Sequence, residues 1–122
     1  MIDKNTNLEL KKYRTPCKNE AALEVRVRDF CKDNGIKRKK MSSPGTKGTL
    51  DDYFIVAGRH VWIELKHGKN TPSALQWEEI YDIRGHGGEA YWANDLQQVI
   101  YILLGEVEPY AEELPPQEDW LL

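Results

Sequence analysis

Residues 50–67 read LDDYFIVAGRHVWIELKH, and the pairing of this stretch decides the fold. Two apolar runs, residues 51–57 and 60–67, flank Gly58-Arg59. Glycine first in a two-residue turn suits a type II′ hairpin. Such a turn pairs Val56 with Val61, Phe54 with Ile63, Tyr53 with Glu64 and Asp51 with Lys66. Side chains two apart on a strand share a face. One face is then Phe54, Val56, Val61, Ile63 and Leu65, with Asp52 at its end. The other carries Asp51, Tyr53, Trp62, Glu64 and Lys66. A slip of one residue would scramble both faces, so the apolar set pins the register.

Opposed Cβ atoms on paired strands lie roughly 4.5–5.5 Å apart. Asp51, Glu64 and Lys66 are therefore expected to converge at one end of the hairpin. Two carboxylates at that separation repel, and a divalent cation between them removes the repulsion. Hard oxygen ligands select Mg²⁺ or Mn²⁺, ions that pair naturally with phosphate. A lysine beside them can orient a water or neutralise developing charge. The tripeptide Glu64-Leu65-Lys66 alone is a common cross-strand charge pattern. Asp51 and the glycine-bearing loop before it give the pattern its weight.

Working outward, Asn19 is placed to N-cap a helix from Glu20 to about Asp33, ended by Gly35. Leu23, Val27, Phe30 and Cys31 form its apolar stripe. Ile36–Ser42 reads as a short basic strand and residues 42–48, SSPGTKG, as a loop. After the hairpin, Thr71 and Pro72 suit N-cap and N1 of a helix to about Arg84, stopped by the GHGG of 85–88. Glu89–Ala93 reads as a strand. Asn94 or Asp95 then caps a last helix with Leu96, Val99, Ile100 and Leu103 inward. The order α-β-β-β-α-β-α predicts an α/β fold, a small mixed sheet flanked by helices. Residues 1–18 form a basic arm, 19–104 the domain, and 105–122 an acidic tail.

At 122 residues the chain fits one domain with a modest core. No apolar run approaches the ~20 residues of a membrane span. The lysine-rich N-terminus lacks the apolar segment of a secretory signal. Cys17 and Cys31 fit no metal spacing and read as reduced thiols of a cytoplasmic protein. His60, His67 and His86 lack ligand spacing, which argues against zinc. The net charge of -3 hides an asymmetry. Residues 1–50 hold 13 Lys and Arg against 6 Asp and Glu, and residues 51–122 hold 4 against 14. The densest basic run, Lys37-Arg38-Lys39-Lys40, together with Lys47, suits a phosphate backbone.

Four segments in order carry a resemblance: Glu20 in a first helix, SPGTKGTLD (43–51), WIELK (62–66) and SALQ (73–76). Over about Asn19 to Leu104 the chain resembles the VRR-NUC domain, a branch of the PD-(D/E)xK nuclease superfamily. The resemblance implies a restriction-endonuclease-like core and Mg²⁺- or Mn²⁺-dependent hydrolysis of DNA phosphodiesters. Small stand-alone members are common in phages and bacteria, and some are homodimers that cut branched DNA. By position, Asp51 and Glu64 would be the metal-binding acids, Lys66 the catalytic lysine, Glu20 the acid reaching in from the first helix, and Gln76 a supporting glutamine.

Leu50 and Asp52 depart from the proline and arginine usual around the family's aspartate. The Asp51-Asp52 doublet leaves two candidate ligands, with the register favouring Asp51. Glu20 also suits the helix macrodipole, and Glu24, one turn on, is the alternative acid. Ser73 and Gln76 also spell a capping box. The rival reading is a catalytically silent DNA-binding or assembly module on the same fold.

Overall fold

The computed structural model describes residues 17–41 and 48–105. The basic arm to residue 16, Lys47 and the tail beyond Gly105 lie outside them. The order is α1 (Glu20–Asp33), β1 (Lys37–Lys40), β2 (Asp52–Val56), β3 (Arg59–Leu65), α2 (Ala74–Gly85), β4 (Glu89–Ala93) and α3 (Leu96–Leu104). The four strands form one sheet in the order β1-β2-β3-β4. The first three are antiparallel, and β4 runs parallel to β3 after the α2 crossover. The predicted order of elements is thus the observed one.

Local chemistry sets the helix ends. The Asn19 side chain accepts from the Ala22 amide at 2.8 Å and caps α1. Asp95 caps α3 in the same way through Gln98, and Gly105 closes it in the left-handed conformation at φ 74°. α2 starts later than Thr71-Pro72 predicts. Its N-cap is Ser73, because a reciprocal capping box with Gln76 supplies acceptors for two orphan amide donors.

One face of the sheet packs Phe54, Val56, Val61, Ile63, Leu65 and Tyr91 against the stripes of α1 and α3. On the other face, Trp77 and Ile80 of α2 close over Leu50 and Ala90, with Trp62, Ile83 and Trp92 packed at the margin. This second layer leans on β4 and leaves β1 and β2 outside it.

The hairpin turn is Ala57-Gly58, with φ of 49° and 79°. Two positive values make a type I′ turn, whose twist matches the flanking strands. The predicted Gly58-Arg59 turn fails because Arg59 belongs to β3. Its guanidinium holds Glu89 through two bonds of 2.9 and 2.8 Å. It also donates to the last carbonyls of α3, Ile102 and Leu103. Val56 therefore pairs with Arg59, Phe54 with Val61, and Tyr53 with Trp62. This register is two residues from the predicted one. Because the side-chain period is also two, every residue keeps its predicted face while its partner changes.

Candidate active site

Continued one step past Asp52↔Ile63, the register sets Asp51 opposite Glu64, where Lys66 was expected. The backbone holds both acids in place. The Asp51 amide donates to Glu64 Oε1 at 3.1 Å, and the Leu65 amide donates to Asp51 Oδ2 at 3.0 Å. Lys66 Nζ lies 3.3 Å from Glu64 Oε2. The Lys66 amide donates to the Ala93 carbonyl at 2.9 Å, extending the β3–β4 ladder so that the lysine keeps its side of the sheet. Below Asp51, Leu50 is buried against Trp77 and Ile80.

Gly48 brings the chain to this point. A Cβ there would lie 2.9 Å from the Leu75 carbonyl oxygen. The loop therefore passes against the first turn of α2 in a way only glycine permits.

The electrostatics are unbalanced. Glu64 is only 3% exposed. Burial, and then the Asp51 charge, push its carboxyl up to about 8, while Lys66 pulls the other way. Two acids thus share one ammonium. Among the described residues no three His, Cys, Asp or Glu side chains group to hold a metal. Glu20 is exposed at the first turn of α1 and does not join Asp51 and Glu64. Its position there is the one the macrodipole favours. Gln76 directs its amide oxygen to the Ser73 amide at 2.8 Å, the capping role.

Asp52 turns to the opposite face, as the register predicted, and is fully buried. Arg38 meets it through Nε at 3.1 Å and also donates to Glu24 at 3.3 Å. Lys40 pairs with the same Glu24 oxygen. Burial pushes Asp52 up to about 6 against the pull of Arg38. The lysine hydrogen bond holds Glu24 below the ordinary carboxylate range. Glu24 is therefore tied into this cluster.

The basic run divides accordingly. Arg38 and Lys40 are engaged by carboxylates on the core side of the sheet. Lys37 and Lys39, opposite Ile55 and Tyr53, are exposed on the other face. Alternation along KRKK carries the signal for this split. The Arg38–Asp52–Glu24 group is what the sequence reading missed.

The arrangement of strands and helices is similar to a solved VRR_NUC domain. The two superpose with a TM-score of 0.62 at 20% identity, over 72% of this chain and 97% of that one. The chain has the VRR_NUC fold. No protein-family model and no curated protein matches the sequence. What is shared with the VRR_NUC structure is thus the path of the backbone, and the resemblance drawn from Glu20, SPGTKGTLD, WIELK and SALQ agrees with it at the level of fold.

Proposed function

We propose that this chain is a divalent-metal-dependent DNA nuclease that hydrolyses phosphodiester bonds within a strand. The observation that carries this reading is the under-compensated pair Asp51 and Glu64, with Lys66 at their side. The VRR_NUC fold supports it. The donor set fits the ion. Two hard carboxylates without imidazole or thiolate suit Mg²⁺ or Mn²⁺, which keep several waters and take further oxygens from a phosphate. A metal held by Asp51 and Glu64 would supply Lewis-acid polarisation of the phosphate and a more acidic water.

The chain's own groups do the rest. The Leu65 amide orients Asp51, and the Asp51 amide orients Glu64, so neither acid needs to reorganise. Lys66 stands where it can donate to a phosphate oxygen or hold a water in line. Lys37 and Lys39, exposed on the face of Asp51 and Glu64, would draw the DNA backbone, with affinity falling steeply as salt rises. The reading needs neither Glu20 nor Gln76 in the chemistry. A symmetric homodimer would present two such sites to two strands.

The test is a cleavage panel of branched, single-stranded and plain duplex DNA in Mg²⁺, Mn²⁺ or EDTA. Cutting is expected with either metal and not in EDTA. Lys66→Ala is expected to cut about 10²–10³-fold more slowly. Metal-independent cutting, or full activity in Lys66→Ala, contradicts the proposal. Binding without cutting in both metals would favour the silent DNA-binding module.

A further inference from the structure

The sheet face that carries Asp51 and Glu64 is built in rows. One row runs Met41, Asp51, Glu64, Trp92, where the Met41 amide donates to the Asp51 carbonyl at 2.7 Å and Glu64 pairs with Trp92. The next row is Lys39, Tyr53, Trp62, Ala90. Beyond it come Lys37, Ile55 and His60. α2 covers the Ala90 end of these rows. Among the described residues nothing covers Lys37, Lys39, Tyr53 or His60.

The uncovered part has an unusual composition for an exposed sheet surface. Tyr53 and Trp62 lie with ring centroids 4.7 Å apart at 40°. Tyr53 and His60 are 5.8 Å apart, and the tyrosine hydroxyl meets His60 Nδ1. The tyrosine ring is thus held at both ends. Neither Tyr53 nor His60 belongs to either core cluster. Lys37 and Lys39 flank the rings, exposed and without an ion pair to any described residue. Trp62 also lines an open cleft with Asp82, Ile83, His86 and Gly88.

We infer that Lys37, Lys39, Tyr53, His60 and Trp62 form a platform for an unpaired strand of nucleic acid, running into the Asp51–Glu64 row. Flat π-faces beside free ammonium groups match a chain of bases and phosphates. Stacking needs a base whose face is exposed, which a duplex does not offer and a single strand does. An acidic protein segment would match the lysines but leave the rings without a counterpart. Adjacent rows lie about 7 Å apart, two residues of strand rise. That is roughly one extended nucleotide, so a base stacked on Tyr53 and Trp62 places the neighbouring phosphate near the two acids. Only this last step rests on the nuclease reading. The platform itself does not.

The experiment measures binding of the full chain in EDTA, where nothing is cut. A labelled oligothymidylate is compared with a duplex of equal length. Tyr53→Leu is expected to weaken single-strand binding roughly tenfold, while Tyr53→Phe retains it. Duplex binding is expected to be unchanged in both. The Lys37→Gln/Lys39→Gln pair should lower the slope of log affinity against log salt by about 1.4 for the single strand. Oligothymidylate should also quench tryptophan emission, and most of the quenching should be lost in Trp62→Phe, with Trp92 in the neighbouring row supplying any remainder. Quenching undiminished in Trp62→Phe, or single-strand affinity unmoved by a folded Tyr53→Leu, overturns the platform whether or not the chain cuts DNA. If Tyr53→Leu does not fold, the quenching comparison decides.

Discussion

Asp51 and Asp52 are neighbours in the chain and opposites in their surroundings. Asp52 faces α1, where two acids (Glu24 and Asp52) meet two bases (Arg38 and Lys40). Asp51 faces the other side, where it lies beside Glu64 and the paired cation is Lys66, on Glu64. The first cluster closes its own charge and is part of the architecture. The second has two acids beside one ammonium, at the ends of the two central strands, and there Glu64 holds its proton up to about pH 8. A buried carboxylate pair left in that state is destabilising to the free protein. What the contrast teaches is that an acidic doublet does not declare its role. The partners supplied by the two faces do.

The sharpest way to break the comparison is to remove one base from each cluster. Lys66→Ala is expected to lose two to three orders of magnitude in cleavage. Its cost in stability stays below that of Arg38→Ala, because the buried Glu64 it leaves behind, raised to about 8, holds a proton at neutral pH in place of the lost ammonium. Arg38→Ala should do the reverse in stability, costing about 3–5 kcal/mol because it leaves Asp52 buried without its cation. Urea denaturation and a cleavage assay on the two variants decide it. If Arg38→Ala is as stable as the parent, the first cluster is not structural, and the distinction between the two faces fails.

Acidity separates the clusters next. Glu64 is raised to about 8 and Asp52 to about 6. In both cases the folded chain holds the proton more tightly than the unfolded one. Protonation therefore favours folding. That contribution is complete below the ordinary carboxylate range, falls away through about pH 6 for Asp52, and is lost through about pH 8 for Glu64. Metal-free protein should lose on the order of a few kcal/mol between pH 5 and pH 9. Glu64→Gln should flatten the upper half of that slope, and Asp52→Asn should make the lower half shallower, leaving the part due to Glu64. Mn²⁺ should oppose the loss above pH 7, because metal and proton compete for the same oxygens. Melting curves in EDTA and in Mn²⁺ across this range provide the check. Stability that rises from pH 6 to 9 in EDTA would reject the burial of Glu64.

Much of this was legible beforehand. The apolar set Phe54, Val56, Val61, Ile63, Leu65 fixed which residues share a face, and the observed sheet keeps every one of them there. The cap at Asn19 was readable, and that of the last helix was narrowed to Asn94 or Asp95, because side chain and backbone act within three residues. The turn was not, because it depends on where Arg59 is needed, and Glu89, Ile102 and Leu103 lie 30 or more residues away. The fate of Arg38 and Lys40 was hidden for the same reason. A run of four bases looks like one patch until strand alternation divides it. Glu20 illustrates a different limit. Its helix position admitted both a capping and a ligating role, and only coordinates show it exposed and apart from the pair.

Gly48 offers a perturbation that should reach one aspartate more than the other. An added methyl would meet the Leu75 carbonyl at 2.9 Å and displace the segment that delivers Leu50 and Asp51. Asp52 lies inside the ladder, paired on both sides, and should stay. Gly48→Ala is therefore expected to lower cleavage by about tenfold or more, since catalysis is sensitive to shifts near 1 Å. It should cost about 1–2 kcal/mol in stability, part of it from the positive φ of 88°. Equal losses in cleavage and in fraction folded would mean that the glycine serves the fold alone.

The smallest effect concerns the turn that both clusters depend on. Ala57 sits at φ 49°, where a Cβ is unfavourable and asparagine is better tolerated. Ala57→Asn should therefore stabilise the chain by up to about 1 kcal/mol, a rise of a few degrees in melting temperature. Cleavage should not change, because the register, and with it the partners of Asp51 and Asp52, is the same. Were the turn centred on Gly58-Arg59 instead, residue 57 would be an ordinary strand position. Asparagine, a poor strand former, would then destabilise. The sign of this small shift thus reports which register the hairpin adopts in solution, and so whether Asp51 faces Glu64 or Lys66.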